Sequence, residues 1–470
     1  MAMKNAILVL TVMLLTGPAY ASDEGAPFPS YGVMLDSHWS SPFPQLSGRV
    51  MATATHDGKL YVGGYFRTAG GTTVNHVAMW DGKQWRPLGT GTDQPVLALA
   101  LDDEGNLYAG GVFSSAGDVQ AASVARWDGS RWSDLGRGMN STVYSLALDE
   151  EGMLYAGGSF SRAGDADAQR IARWDGRRWD PMGAGMDHHV FAIAPAGGDT
   201  IYAAGGFMMA GGRSADQVAM WDGDAWWPLG TGLKPAMDGY PATSLALGPG
   251  GKPVYVGGSF ATAGGREIPY LAKWDGGRWS AVGGGVDGPV RALLMDDDGT
   301  LYVGGYFTRA GNVDAPFIAG WNDGNWRPLE NGTSGPVFVI HRDESMLHVG
   351  GDFRSAGPTS AGNLACWQTS ISTSAERGPV RQHAAMSSGP VFPNPVESTA
   401  SIPFTLSASA DVTLTVYDVM GRERLFVVDG RRLAGPNVAT VDASHLPGGL
   451  YLYELNTGLR TYTGRFVVQR

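Results

Sequence analysis

Apolar residues come in short runs that alternate with small or polar positions, and glycine, aspartate or proline ends each run. One such series is Leu60-Tyr-Val-Gly-Gly-Tyr-Phe66, then Val77-Ala-Met-Trp80, then Trp85-Arg-Pro-Leu88, then Val96-Leu-Ala-Leu-Ala-Leu101. The series recurs along the chain. Its marker tryptophans are Trp80, Trp127, Trp174, Trp221, Trp274, Trp321 and Trp367, spaced 47, 47, 47, 53, 47 and 46 residues apart. Period-two alternation over such short stretches predicts strands. In the second repeat these are Val96 to Leu101, Leu107 to Phe113, Val124 to Trp127 and Trp132 to Leu135, with a turn at Asp102 to Asn106. Between the third and fourth strands Asp128-Gly129 predicts a type I′ hairpin, because both central residues of that turn need positive φ.

Repeats of this length built from four strands predict a β-propeller. The seventh repeat has no tryptophan five residues after Trp367, so it lacks its fourth strand. Trp39 lies 11 residues before Val50, the same offset as Trp85 to Val96 and Trp132 to Val143. The segment from His38 to Phe43 is therefore expected to complete the last blade, which removes exposed sheet edges. The expected fold class is all-β: a seven-bladed β-propeller closed by an N-terminal strand, followed by a small C-terminal Ig-like β-sandwich. Phe66, Phe113, Phe160, Phe207, Phe260, Phe307 and Phe353 share one slot and are expected in the core. The double glycines, as at Gly63-Gly64, are expected where backbones approach closely.

The double glycine after the second strand and the tryptophan near the fourth resemble the kelch repeat. The fuller pattern, a double glycine and phenylalanine followed by Trp-Asp-Gly, looks closer to propellers of the fungal cortical polarity marker family and their bacterial relatives. That resemblance covers about residues 39–370 and implies a fold rather than an activity.

Composition shifts after Trp367, and Thr369 to Pro390 reads as a linker. Strand-like runs follow at Ser401 to Leu406, Val412 to Tyr417, Leu425 to Val428, Leu450 to Leu455 and Gly464 to Val468. Gly421, Gly430, Gly435 and Pro447-Gly448-Gly449 are expected to mark the turns between them. Phe392-Pro-Asn-Pro395, Val412-Thr-Leu-Thr-Val-Tyr-Asp418 with Gly421, Leu446-Pro-Gly-Gly-Leu-Tyr-Leu-Tyr453 and Gly464-Arg-Phe-Val-Val-Gln-Arg470 resemble the type A C-terminal sorting domain of type IX secretion. The resemblance assigns the sorting signal to Asn394, Pro395, Tyr417, Asp418, Gly421, Gly449, Tyr451, Gly464, Arg465 and Arg470. It implies passage across an outer membrane, handling by the type IX machinery, and release or attachment at the cell surface. Family members often end with a lysine pair, where this chain has Arg465 and Arg470.

Charge and leader sequence agree with export. Lys4, the apolar stretch Ala6 to Leu15 and Ala19-Tyr-Ala21 read as a signal peptide over residues 1–21. The expected domains are then the propeller over 22–370, the linker over 371–390 and the sorting domain over 391–470, in a mature chain with no transmembrane segment. A formal net charge of −11 with no basic block outside the C-terminal region argues against a nucleic-acid partner. The single cysteine, Cys366, stands in a slot filled elsewhere by Met79, Arg126 or Lys273 and reads as a packed thiol.

No catalytic constellation, metal motif or cofactor motif is evident. His188-His189 is dismissed as a metal pair because neighbours on an extended chain point to opposite faces. The loops between second and third strands, and those between blades, share one face and are read as longer and different in every blade. Function lives on such loops. The insertion within Leu233 to Pro241 supplies Tyr240, Lys234 and Asp238; neighbouring loops supply Arg213, Tyr270, His188, Arg170 and His76. These are the candidate contact residues for a glycan or surface-protein ligand. The alternative is a secreted hydrolase or lyase acting on polysaccharide with acids in the channel.

Overall fold

The computed structural model describes residues 38–235, 241–343, 346–369, 386–388, 391, 394–396, 398–406, 410–418, 422–433, 435–456 and 461–470. These fall into two compact units that part between residues 371 and 372. The predicted signal peptide lies outside the described residues.

Each predicted repeat forms a four-stranded antiparallel sheet, and seven such sheets make up the first unit among the described residues. In the second, Val96–Leu101 pairs with Leu107–Gly111, which pairs with Val124–Trp127 and that with Trp132–Asp134. The innermost strand of each sheet lies against that of the next, and Val337–Asp343 of the seventh lies against Val50–His56 of the first. The arrangement is propeller-like. Trp39–Ser40 pairs with Leu364–Gln368 and is the outer strand of the seventh sheet.

Two repeated contacts join the sheets. The second tryptophan of each pair is buried, and its Nε1 donates to a backbone carbonyl of the preceding sheet. Trp132 reaches Leu88 O at 2.8 Å, Trp179 reaches Leu135 O at 2.9 Å and Trp39 reaches Leu329 O at 2.9 Å. Trp39 thus does in the seventh sheet what Trp132 does in the second. A Cβ on Gly63 would stand 2.6 Å from Val96 Cγ1, so glycine lets the next sheet close on the first. The shared phenylalanines are all buried as expected.

Two expectations about turns need correction. In five of the Trp-Asp-Gly turns only the glycine has positive φ, for example Gly129 at 94°. The aspartate stands outside the central pair, and its Oδ1 accepts two backbone N–H groups, from Ser130 and Arg131 at 2.9 Å in the second sheet. That double acceptance favours this Asx-capped turn over type I′. The sixth sheet, with Asp323 at 50° and Gly324 at 79°, has positive φ at both residues as predicted. Second, the second-to-third loops share one backbone: each carries a tiny hairpin such as Ser115–Ala116 with Val119–Gln120. The inter-sheet loops are clasped onto these hairpins. Asp93 Oδ1 accepts from Ser114 N and Ser115 N at 2.8 and 3.0 Å, and Asn140, Asp187 and Asp287 do likewise. These loops differ in side chains while keeping their path.

The second unit holds a sheet ordered Met386–Ser388, Thr399–Leu406, Gly435–Asp442 and another ordered Glu423–Arg432, Ala410–Asp418, Gly449–Asn456, Thr461–Val468. One buried cluster takes Ile402, Phe404 and Val441 from the first and Val412, Leu414, Tyr453 and Phe466 from the second. Gly430 and Gly435, expected in turns, lie within strands, and Gly435–Asp442 was unforeseen. Its polar-rich sequence has a weak apolar alternation that hides it. Met386–Ser388, inside the expected linker, pairs with Phe404–Leu406.

Candidate functional site

Every inner strand begins with a bulge. The register shifts between Val50 and Ala52, Val96 and Ala98, Val143 and Ser145, and at the same place in the other four. The extra residue is Met51, Leu97, Tyr144, Phe191, Thr243, Arg291 or Phe338. Its flanks hardly change: valine or alanine before, a small residue or valine after. A bulge re-aims one side chain while leaving its neighbours in the sheet.

These side chains turn toward one another. Tyr144 and Phe191, from adjacent sheets, have ring centroids 5.1 Å apart. A residue that follows a double glycine joins them: Tyr306 lies 5.9 Å from Phe338. Tyr65 of the first sheet and Tyr144 of the third pack against one buried cluster that includes Met51, Leu97 and Phe338. Burial first, then Tyr144, raises the Tyr65 phenol, whereas Arg49 opposes the shift. The Tyr65 hydroxyl and His189 Nδ1 are buried without a hydrogen-bond partner. Tyr306 remains 45% exposed. Arg49 Nε pairs with Asp352 Oδ2 at 2.6 Å, and the Arg291 guanidinium lies 5.6 Å from the Tyr306 ring centroid. The result is an aromatic mouth with unused polar atoms, at the loop end of the inner strands.

The predicted contact residues divide. Asp238 and Tyr240 lie outside the described residues. Lys234 pairs with Thr262 in a strand and reaches Asp216 at 2.8 Å. Arg213 sits on the hairpin of the fourth sheet, its guanidinium 4.1 Å above the Trp227 ring. His76, Arg170 and Tyr270 share one slot with Ser123, Gln217, Phe317 and Asn363, all with left-handed φ between 63° and 75°. Each of these backbones is held from both sides, as where His76 N donates to Phe66 O and His76 O accepts from Gly64 N. A side chain helps hold the next sheet at Gln217, whose Oε1 accepts from Ala242 N at 3.0 Å.

Of the eight, His188 and Arg170 border the mouth. His188 is exposed and its ring lies 4.1 Å from that of His189, since the pair sits in a bend rather than an extended strand. That overturns the reason given for dismissing a metal pair. Even so, no group of three metal-ligating side chains occurs among the described residues. Burial first, then His188 and Arg170, hold the His189 imidazole below its ordinary range. The mouth residues that sequence reasoning missed had a readable signal: a changing column between two constant ones.

At the other end of the strands the carboxylates serve the fold. Asp102 Oδ1 accepts from Glu104 N and Asn106 N, and its Oδ2 accepts from the Tyr108 hydroxyl at 3.2 Å. In the seventh sheet His348 replaces this tyrosine, and Cys366 Sγ lies 3.4 Å from His348 Nδ1. Burial, with a smaller effect of Asp343, pushes the thiol up to about 12. It is packed and unreactive.

In the second unit four of the ten predicted signal residues make side-chain bonds that hold neighbouring segments. Asn394 Oδ1 accepts from Val467 N at 2.9 Å, and the Tyr451 hydroxyl donates to Pro447 O at 3.0 Å. Asp418 is buried and accepts from Arg422 and from Arg424 Nη2 at 2.6 Å. Arg470 Nη2 donates to the carbonyls of Ala443, Ser444 and Leu446. Tyr417 is half-buried and pairs with Leu452, Gly449 opens its strand, and Gly464 and exposed Arg465 pair with Tyr453 and Leu452. Gly421 lies outside the described residues.

Comparison with known proteins bears on both units. Residues 390–469 match the family model of the secretion system C-terminal sorting domain. Residues 56–78 match the beta-propeller domain of unknown function DUF5122. No curated protein matches the chain. Among solved structures it is similar to a fungal alcohol oxidase of the AA5 family in complex with copper, at 16% identity and a TM-score of 0.41. That similarity covers 92% of this chain and 99% of the other. Among the described residues no helix is long and apolar enough to cross a membrane. The chain is a β-propeller protein with a C-terminal sorting domain, which directs it through type IX secretion to the cell surface or the extracellular space.

Proposed function

We propose that this protein is an exported binding protein: a seven-bladed, kelch-like propeller that holds a glycan or protein ligand at the loop-end mouth of its ring, carried outward by an Ig-like sorting domain. One observation supports the reading above others. The residues that change from sheet to sheet at a fixed place in the repeat gather at one end of the inner strands. Exposed Tyr306 and His188, with half-buried Tyr144, offer aromatic and polar surface to a ligand with both apolar and hydroxylated faces. His188 and Arg170 belong to this site as its border, and His76 and Tyr270 as supports of its rim.

The test is binding of the purified full-length chain to an array of bacterial and plant glycans. Tyr306→Ala is expected to weaken a hit at least tenfold without lowering thermal stability, because its ring is largely exposed. Arg213→Ala, on the outer hairpin, is expected to leave it unchanged. Equal losses from both variants would remove the mouth as the site, and silence across the array would turn the proposal toward a protein ligand.

A further inference from the structure

The fourth sheet breaks the repeat on its outer surface. Among the described residues of the first unit, the large apolar or aromatic side chains exposed to solvent are Tyr306 at the mouth and Met208, Met209 and Trp227. The last three all belong to the fourth sheet. The Met208-Met209 slot holds Arg67-Thr68, Ser114-Ser115 or Ser161-Arg162 in the first three sheets, and the Trp227 slot holds arginine, serine or aspartate in every other sheet. Packing within the sheet does not account for these changes, since Met208 is 59% and Trp227 43% exposed. Apolar surface gathered in one place on a polar scaffold marks an interaction site.

Hydrogen bonds and strand pairing link this surface to the mouth. Asp187 adjoins His188 at the border of the mouth, and its Oδ1 accepts from Met208 N and Met209 N at 2.9 and 3.0 Å. Met209–Ala210 pairs with Arg213–Ser214 and lies against Trp226–Pro228, so hairpin and outer strand form one surface. Trp227 is held in place: its Nε1 donates to Asp222 Oδ2 at 2.6 Å, as Arg86 Nε donates to Asp81 Oδ2 in the first sheet. The Arg213 guanidinium covers one face of the ring, and ligand contact falls to the rest of it. His188, Met208, Met209 and Trp227 thus lead from the mouth to the outer strand.

Such a path suits an extended occupant. A polypeptide gains affinity by bonding the free backbone of a strand edge. Here Asp187 already takes the Met208 and Met209 N–H groups, and Arg213 Nη1 donates to Trp226 O at 2.7 Å. What is left is one fixed indole and two adaptable thioethers, which match flat rings with C–H faces. Sugars whose hydroxyls are all equatorial have such faces, and β linkage keeps a chain of them straight. We infer, resting on the glycan form of the reading above, that a β-linked polysaccharide of this kind runs from the mouth outward over the fourth sheet, with one sugar stacked on Trp227.

The experiment is calorimetric titration of the full-length chain with the disaccharide and the octasaccharide of cellulose, xylan and chitin. At least one octasaccharide is expected to bind roughly tenfold tighter than its disaccharide. Trp227→Arg and Met208→Ser install the residue types found at Arg86 and Ser114, so the thermal midpoint should hold. Each variant should remove most of the octasaccharide's advantage and leave the disaccharide unchanged, whereas Tyr306→Ala should weaken both lengths. If Trp227→Arg lowers the midpoint, Met208→Ser decides. Equal affinity for the two lengths, or an advantage that both variants keep, would overturn the outer path and leave the mouth standing. A disaccharide weakened by either variant at full stability would also overturn it, because that residue would then serve the mouth itself. No binding to these probes, while a glycan array gives hits, overturns this inference alone. Silence in both experiments overturns it together with the glycan reading and points to a protein ligand.

Discussion

The two ends of the inner strands solve different problems with the same backbone. At the turn end, aspartates close hairpins in nearly identical fashion, as Asp81, Asp128 and Asp175 each accept two backbone N–H groups. Those bonds hold Asp81 down to about 2, chiefly through the Gln84 amide and then Arg86. At the loop end, the carboxylates of Asp93 and Asp187 clasp backbone N–H groups of the neighbouring hairpin and fix the path of their connections. Of the bulge side chains, Thr243 bonds the next sheet at Val290 O at 2.9 Å, whereas Tyr144 and Phe191 meet through their rings. Uniformity at one end permits variation at the other.

The largest expected effect tests what both ends share, the closure of the ring. Trp39→Ala removes a buried indole and its bond to Leu329 O, with an expected loss of about 3–5 kcal/mol in a urea melt. Ligand binding should fall in step with folding. An unchanged midpoint would mean that the ring does not need its N-terminal strand.

Acid should come next, with its largest histidine effect in the closing sheet. Burial, then His348, holds His341 down to about 3, and burial holds His348 down to about 4. The folded ring therefore keeps both neutral while an unfolded chain protonates them below 6.5. Stability from this source is complete above pH 6.5, falls as pH drops from there to about 4 for His348 and about 3 for His341, and then levels off. The loss should be several kcal/mol for the two histidines together. His341→Ala, which installs the residue found at Ala54 and Ala100, should flatten that slope in denaturation series across this range. An identical slope would assign the acid effect elsewhere.

The smallest effect separates the two ends most cleanly. Asp175→Ala removes an acceptor of two backbone N–H groups and should lower the unfolding midpoint slightly, with ligand affinity unchanged. Reduced affinity at full stability would mean that the turn end takes part in recognition.

Much of this architecture was legible in the sequence because every sheet faces the same packing problem. Trp132 and Trp179 each bond the preceding sheet, so their spacing is the spacing of the sheets, and the Trp39 to Val50 offset located the closing strand. The mouth was harder to read. Tyr144 and Arg291 occupy bulges, and a bulge breaks the alternation by which strand faces are assigned. Candidates chosen for unusual loop chemistry fell instead into a backbone slot, as His76 and Tyr270 did, or onto the outer hairpin, as Arg213 did. The insertion that drew most notice contributes Lys234 to an edge strand tied to Asp216.

Ring closure also has a consequence in time. A chain made from its N-terminus offers Trp39–Ser40 at the outset, yet the partner of that strand, Leu364–Gln368, is among the last parts of the first unit to emerge. Until that segment is made, the first and last inner strands have no partner to meet, and the circle can form only once the residues leading into the sorting domain are available.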